Sequence, residues 1–330
     1  MSQSDSASRK RLRDETEDYN TTTSKSSRSN PYSAKFRQRL IDRGVFPPDY
    51  YFPDGRSPEP PENFKEIRDH LGRRRASLSL SQFSETAFIN FRRALHDKAP
   101  EASSSAMVIS TIAGEKDREK RYRSAGGVYF NNLDPIGSDI SRPKPDHYDG
   151  APPETIHEQI RQDLSAFIVP SADDSLPAAP NFFGEWKSSK GKFEVAKQQA
   201  CNNGACGARG MNQLQNYQVD DQTYDNRAYT LTTAFSSSTG SLHIYAVHPT
   251  APGETAGGLP TYRTSLLDSF FVDGPRREKF LEAAAAYRNA RDWCATQRQR
   301  LIENANRRVA ERRENETQGA LPTPSQSDAT

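Results

Sequence analysis

The part of the sequence that most constrains the fold is an apolar segment that carries two charges and leads into a long helical pattern. Residues 181–188 read Asn-Phe-Phe-Gly-Glu-Trp-Lys-Ser, a pattern that predicts a β-strand. Because side chains alternate along a strand, Glu185 and Lys187 point to one face and Trp186 points to the other. Burying a charged pair on one face of an otherwise apolar strand costs free energy, which is unusual unless the two charges have a function. An exposed edge strand with a Glu–Lys pair is the simpler alternative.

The helical pattern that follows spans residues 193–215, and its mostly small side chains recur every three or four positions. Such a face lets a helix approach a sheet closely, which predicts helix–sheet packing. Gln199 and its neighbour Gln198 lie in the N-terminal half of this helix, from which one of them can reach the edge of the charged strand. The residues of the small face are Ala196, Ala200, Gly204, Gly207 or Ala208, and Met211.

Apolar periodicity predicts the remaining elements. Helices are predicted at residues 35–44, 64–71, 82–95 and 154–168, and a final helix with apolar residues seven apart is predicted from Pro275 to about Arg313. Strands are predicted at residues 107–113, 126–130, 146–150, 227–235, 241–247 and 265–272. A Ser-Ser-Ser-Thr-Gly turn joins two of these strands into a hairpin, residues 227–235 with residues 241–247.

Composition divides the chain into one domain with two polar tails. The 330 residues suffice for one large domain, but only 33% are hydrophobic, so the whole length cannot be packed core. Residues 1–34 and 314–330 are polar and are predicted to be disordered, which leaves residues 35–313 as a single domain. The basic cluster at residues 8–13 is typical of a nuclear localisation signal, although a solvated stretch of a tail has the same composition.

Cysteine usage and hydropathy indicate an intracellular protein. The three cysteines, Cys201, Cys206 and Cys294, form neither an even framework nor a zinc-binding pair, so reduced thiols are expected, with Cys201 and Cys206 buried in a small-residue helix. No apolar run approaches the roughly 20 residues of a membrane span. The first residues also lack an apolar signal segment. We therefore expect a soluble protein of the nucleus or cytoplasm that does not bind a membrane.

An acid upstream of the charged strand completes the candidate site. Residues 144–150 read Lys-Pro-Asp-His-Tyr-Asp-Gly, in which Pro145 fixes the chain ahead of Asp146. Asp146 and Glu185 supply two carboxylates for a hard cation such as Mg²⁺ or Mn²⁺, and the main-chain carbonyl of Trp186 is a further oxygen. The ammonium of the lysine in Glu-Trp-Lys would orient or deprotonate a water and stabilise negative charge. A metal-dependent phosphodiesterase needs this set of groups.

These two motifs, with Val-Ala-Lys-Gln-Gln-Ala-Cys-Asn-Asn-Gly-Ala in the following helix, resemble the PD-(D/E)XK superfamily. More narrowly, they are similar to a group of fungal proteins of unknown function within it. The resemblance implies an α/β (α+β) fold with a restriction-endonuclease-like core, in which N-terminal helices and a long C-terminal helix flank a central mixed sheet. It also implies a catalytic triad of Asp146, Glu185 and Lys187. Two helical residues match further superfamily positions, Gln199 on the following helix and Glu85 on an early helix.

The expected activity is hydrolysis of nucleic-acid phosphodiesters by a Mg²⁺- or Mn²⁺-dependent nuclease, on DNA rather than RNA. One alternative is a catalytically silent nucleic-acid-binding or interaction protein that keeps the fold. Another is a host-directed or genome-conflict protein whose tails matter more than its core. The sequence contains neither a Gly-x-Ser-x-Gly elbow nor a Gly-x-x-x-x-Gly-Lys loop, which argues against a serine hydrolase and a P-loop ATPase.

Basic clusters are the candidates for contact with nucleic acid. The total charge is nearly balanced, with 45 Lys and Arg against 43 Asp and Glu, so local charge matters more than the total. Arginines along the last helix, from Arg298 to Arg313, either bind phosphate or form a solvated face laced with glutamate. The other arginine clusters lie at residues 73–75, 92–93 and 118–123.

The sequence contains no indication of the oligomeric state.

Overall fold

The computed structural model describes residues 28–96, 108–114, 122–253 and 258–319. These residues form one mixed β-sheet and the helices that pack against it. The strands of this described part are β1 (Val45–Phe46), β2 (Arg123–Ala125), β3 (His147–Ala151), β4 (Ala178–Lys187), β5 (Thr230–Ser236), β6 (Ser241–Thr250) and β7 (Thr261–Phe271). They form a sheet in the order β1-β7-β6-β5-β4-β3-β2. The pairs β1–β7 and β4–β5 are parallel, and the other neighbours are antiparallel. The predicted hairpin is β5 with β6.

Helices cover both faces of the sheet, so the predicted mixed sheet flanked by helices, with a long C-terminal helix, is confirmed. Within the described ranges, no helix has the length and apolar content that crossing a bilayer demands. The helices are α1 (Phe36–Asp42), α2 (Phe64–Leu71), α3 (Glu85–His96), α4 (residues 108–113), α5 (Glu158–Asp163), α6 (Ser165–Ile168), α7 (Phe193–Gln215) and α8 (Arg277–Gly319).

The two long helices pack on opposite faces of the sheet and thereby define the two sides of β4. Phe182 contacts Tyr287 of α8, with ring centroids 5.3 Å apart. The next residue, Phe183, faces α7, where a Cβ added to Gly207 would lie 2.6 Å from its ring. A side chain at this helix position would therefore collide with the sheet, which explains the small-residue face of α7. The side chains of β4 therefore alternate between the α8 face and the α7 face, as predicted.

Buried residues of α8 line the core beneath the other face of the sheet. Phe280, Tyr287, Cys294 and Leu301, the predicted seven-residue series, are all buried. The three cysteines are free thiols, as predicted, and all three are buried. Burial raises the pKa of the Cys201 thiol to about 12, so this thiol is protonated at neutral pH.

The prediction of a strand at residues 107–113 is wrong, because the described residues 108–113 form the helix α4. Val108 and Ile112 lie one helical turn apart, and both are buried in the core shared with α8. The Arg288 guanidinium donates to the Ile112 carbonyl at 2.9 Å and so satisfies an acceptor at the end of this short helix. Tertiary contacts decide the conformation of a short apolar run that fits either periodicity.

Three further predictions of element boundaries are corrected by the structure. Residues 126–130 are irregular, and the strand in this region is β2 instead. The helix predicted at residues 154–168 is divided into α5 and α6, because Leu164 between them leaves the helical conformation with φ −103° and ψ 16°. The last helix begins at Arg277, two residues after Pro275.

The described part of the chain extends beyond both predicted domain boundaries. Ser29 is buried and forms a parallel β-bridge with Ile140, ahead of the predicted boundary at residue 34. Helix α8 continues past Arg313 to Gly319. The predicted tail segments that lie outside the described residues are 1–27, with the basic cluster at 8–13, and 320–330.

Candidate active site

The pairing of β3 with β4 brings Asp146 beside the charged positions of β4. His147 pairs with Gly184 in the antiparallel register, so the residue before His147 lies opposite Glu185. The backbone N–H of Trp186 donates to Oδ2 of Asp146 at 2.8 Å. Two acids that are distant in the sequence therefore meet at the C-terminal end of β4.

The Lys187 ammonium lies within reach of both carboxylates. Its Nζ atom is 3.5 Å from Oδ2 of Asp146 and 3.8 Å from Oε2 of Glu185. The Lys187 side chain is only 9% exposed. Gly191 packs against its stem, since a Cβ added to Gly191 would lie 2.8 Å from Cβ of Lys187. The ammonium therefore points at the two acids and away from bulk solvent.

Glu185 is fully buried, and its two oxygens have different surroundings. Asn203 of α7 donates from Nδ2 to Oε1 at 2.5 Å. Oε2 accepts no hydrogen bond from the described residues. Burial and the negative charge of Asp146 raise the pKa of Glu185 well above its usual range. The Lys187 charge and the hydrogen bond from Asn203 oppose this rise.

Two further predicted groups lie next to this cluster. Gln199 precedes Asn203 by one helical turn, so both side chains occupy the same face of α7. The Oε1 atom of Gln199 is buried and accepts no hydrogen bond from the described part of the chain. The Trp186 carbonyl, predicted as a metal oxygen, accepts a hydrogen bond from Nζ of Lys187 at 3.3 Å.

Two other predicted groups lie elsewhere in the fold. Glu85 forms an ion pair with Arg277 at 3.4 Å, where α3 packs against the beginning of α8 on the opposite face of the sheet, so the structure does not bring it to the two acids. Arg298 is 1% exposed and donates to the side chain of Asn181 and to the carbonyl of Asp149. A buried guanidinium is not available to phosphate, so Arg298 is removed from the predicted phosphate-binding set.

The remaining arginine clusters are partly neutralised by acids. Arg75 pairs with Asp292 at 2.6 Å, and Arg92 pairs with Asp273 at 3.5 Å. Arg123 pairs with Glu154, and the rest of the cluster predicted at 118–123, up to residue 121, lies outside the described residues. These pairs are at least partly exposed and contribute little to stability.

The donor set of the cluster fits a hard cation. Asp146 and Glu185 offer carboxylate oxygens, and Oε2 of Glu185 is a buried acceptor without a protein donor. Mg²⁺ is bound in proteins through one or two carboxylates, retains water and takes further oxygens from substrate phosphates. The described residues contain no group of three or more His, Cys, Asp or Glu side chains arranged to hold a metal ion. A two-carboxylate site that depends on water and phosphate is therefore the form that these residues support.

Asn203 is the residue of the candidate site that the sequence did not indicate. It lies in the Ala-Cys-Asn-Asn-Gly stretch of α7, on a face otherwise made of small residues. A buried amide on such a face needs a partner on the sheet, because an unpaired polar group in the core is costly. Its position four residues after Gln199 was the available signal, but the partner depends on how α7 is placed over β4.

Asn203→Leu is expected to weaken Mn²⁺ binding by about 10–100-fold, as loss of a partner of a metal ligand does. Leucine keeps the volume but cannot donate to Glu185, which leaves the carboxyl group free to rotate and more readily protonated. Isothermal titration with Mn²⁺ measures the effect. Asn212→Leu is the matched control, because Asn212 is a buried asparagine of the same helix that donates to the Thr223 carbonyl instead. Equal Mn²⁺ affinities in the two variants would contradict the assignment of Asn203 as the partner of a metal-binding Glu185.

A second buried charge cluster lies on the α8 face of the same strands. Arg291 of α8 binds Asp149 of β3 in a bidentate manner, at 2.7 Å from Nε to Oδ2 and 2.9 Å from Nη2 to Oδ1. Ser124 of β2 donates to Oδ1 of Asp149 at 2.6 Å, and His147 approaches the same oxygen at 3.0 Å. The ring of Tyr122 covers the guanidinium at 4.7 Å. This cluster fixes β3, and therefore Asp146, against the long helix.

Comparison with known proteins identifies a family. Residues 93–306 match the family described as a domain of unknown function (DUF7924), and the chain belongs to this family. A search of curated proteins and a search of solved structures each found no match. The relationship to the PD-(D/E)XK superfamily therefore stays a prediction.

Proposed function

We propose that the protein is a divalent-metal-dependent nuclease that hydrolyses phosphodiesters of nucleic acid, with a core of the PD-(D/E)XK type. One observation carries the proposal: Asp146, Glu185 and Lys187 converge at the end of β4, with the ammonium 3.5 Å and 3.8 Å from the two acids. The mixed sheet with α7 on one face and α8 on the other supports it as the scaffold.

Each residue of the cluster has a distinct role in this proposal. Asp146 and Glu185 would hold Mg²⁺ or Mn²⁺, which would supply Lewis acidity toward a phosphate oxygen and activate a water. Lys187 orients the attacking water and places positive charge where negative charge develops. Asn203 fixes Oε1 of Glu185 and leaves Oε2 to face the ammonium. Gln199 adds a buried acceptor one turn along α7 that is able to hold a water or substrate donor.

The experiment is a cleavage assay on plasmid DNA and single-stranded circles with Mg²⁺, with Mn²⁺, or with EDTA. We expect cleavage that requires the metal and is absent from Asp146→Ala. Asp69→Ala, at an exposed acid of α2 outside the cluster, serves as the control and retains cleavage. Cleavage that persists in Asp146→Ala would contradict the proposal. Binding of DNA without cleavage would instead support the alternative of a catalytically silent binding protein.

We further propose that the protein acts in the nucleus, where the basic cluster at residues 8–13 serves as the localisation signal. Deletion of residues 1–27 removes the cluster and retains Ser29, which pairs with Ile140. A fluorescent fusion of the full chain is expected to accumulate in nuclei, and the deleted form is expected to lose this accumulation. Unchanged accumulation would contradict the signal.

A further inference from the structure

Exposed cations flank Asp146 and Lys187 in the sequence. Lys144 is exposed two residues before Asp146. Lys190 and Lys192 are exposed in the turn after β4, and neither forms a salt bridge with the described residues. This turn folds back onto the site, because Gly191 packs against the stem of Lys187. Ammonium groups in these positions attract a polyanion that passes over the two acids.

An exposed aromatic ring accompanies the first of these cations. Tyr129 is 54% exposed, and Nζ of Lys144 lies 5.0 Å from its ring centroid. The segment that carries Tyr129 runs beside the segment before Asp146, with Gly127 N–H donating to the Pro145 carbonyl at 2.8 Å. Extended backbone rises about 3.3 Å per residue, so the backbone of Lys144, whose ammonium contacts this ring, lies about 7 Å from that of Asp146.

We propose that this surface, defined as Tyr129, Lys144, Lys190 and Lys192, binds an unpaired strand of nucleic acid and directs it across the candidate site. The inference rests on the proposed function and names its substrate class. A base stacks on Tyr129, and the lysines contact the phosphates on either side of the scissile bond. Stacking on a protein ring requires a base that is free of its neighbours, which a single strand offers and an intact duplex does not.

Binding is tested by fluorescence anisotropy in EDTA, so that no cleavage occurs, with oligodeoxyuridylate, oligouridylate and a duplex DNA of the same length. We expect a single strand to bind more tightly than the duplex, and the tighter of the two single strands identifies the sugar. Tyr129→Ala is expected to weaken single-strand binding by about tenfold. Tyr129→Phe, which keeps the ring, is expected to bind as tightly as the wild type. Tyr51→Ala is the control, because Tyr51 is 68% exposed and follows β1 at the other edge of the sheet.

The lysines are tested by the salt dependence of binding. Each of Lys144→Gln and Lys190→Gln is expected to lower the slope of log affinity against log salt by about 0.7, the value for one phosphate contact with a single strand. Lys65→Gln, at an exposed lysine paired with Asp69 on α2, leaves the slope unchanged. Equal affinity for single strand and duplex, unaffected by Tyr129→Ala, would overturn the inference, as would the lack of any binding.

The outcome is separable from that of the proposed nuclease activity. Metal-dependent cleavage with no preference for single strands leaves the proposed function standing and removes the inference. Single-strand binding that depends on Tyr129, without cleavage in any divalent metal, supports the binding surface and contradicts the proposed nuclease activity.

Discussion

Lys187→Met is expected to lower the rate of the proposed phosphodiester cleavage by about 10²–10⁴-fold, the usual contribution of a positioned proton-transfer or charge-stabilising group. The physical reason is its place in the site: its ammonium is 3.5 Å from Asp146 and 3.8 Å from Glu185, and the stem is buried against Gly191. Methionine keeps the length and the apolar stem but carries no proton and no charge. Single-turnover rates with saturating Mn²⁺ measure the loss.

Metal binding separates this role from that of the carboxylates. Lys187→Met removes a cation that competes with the metal for the two acids, so its Mn²⁺ affinity at pH 8 is expected to be at least that of the wild type. Asp146→Ala, which removes a ligand, is expected to lose affinity as well as cleavage. Lys65→Met leaves both unchanged, because Lys65 pairs with Asp69 on α2. Full cleavage by Lys187→Met would reduce this lysine to a counter-ion of Glu185.

The central residues of the site were predictable because they follow from the geometry of one strand. Alternation places Glu185 and Lys187 on a single face whatever the strand's neighbours are. Asp146 was predictable as a candidate, since an acid at the beginning of a strand lies near any strand that pairs with it in antiparallel register. The register that sets Asp146 opposite Glu185 came only from the structure.

The parts that were not predictable depend on contacts between distant segments. Asn203 reaches Glu185 only because of how α7 is rotated over β4, which the small-residue face does not specify. Residues 108–113 adopt a helix because Val108 and Ile112 both reach the core on one side, although the run fits a strand equally well. The partners Asp149 and Arg291 are separated by 142 residues, and neither motif contains a signal for the other.

Arg291→Met is expected to lower the free energy of unfolding by about 3–5 kcal/mol, because it leaves the Asp149 carboxylate buried without its partner. The two side chains are 5% and 1% exposed, so solvent does not replace the lost contact. Burial raises the pKa of Asp149, but the charges of His147 and Arg291 outweigh it and hold this pKa well below its usual range. Urea denaturation at pH 7 measures the change, with Lys65→Met at the exposed pair as the control, for which we expect under about 1 kcal/mol.

The pH dependence of this difference provides a second readout with a defined sign. A carboxylate whose folded pKa is depressed contributes stability above its unfolded pKa of about 3.9 and loses it as the pH falls toward the folded pKa. The gap between wild type and Arg291→Met should therefore be widest at neutral pH and shrink as the pH falls toward and below about 4. The double variant Asp149→Leu, Arg291→Met removes the carboxylate together with its guanidinium partner and should regain much of the loss. A double variant as unstable as Arg291→Met alone would show that packing by the guanidinium, rather than its charge, fixes β3 and with it Asp146.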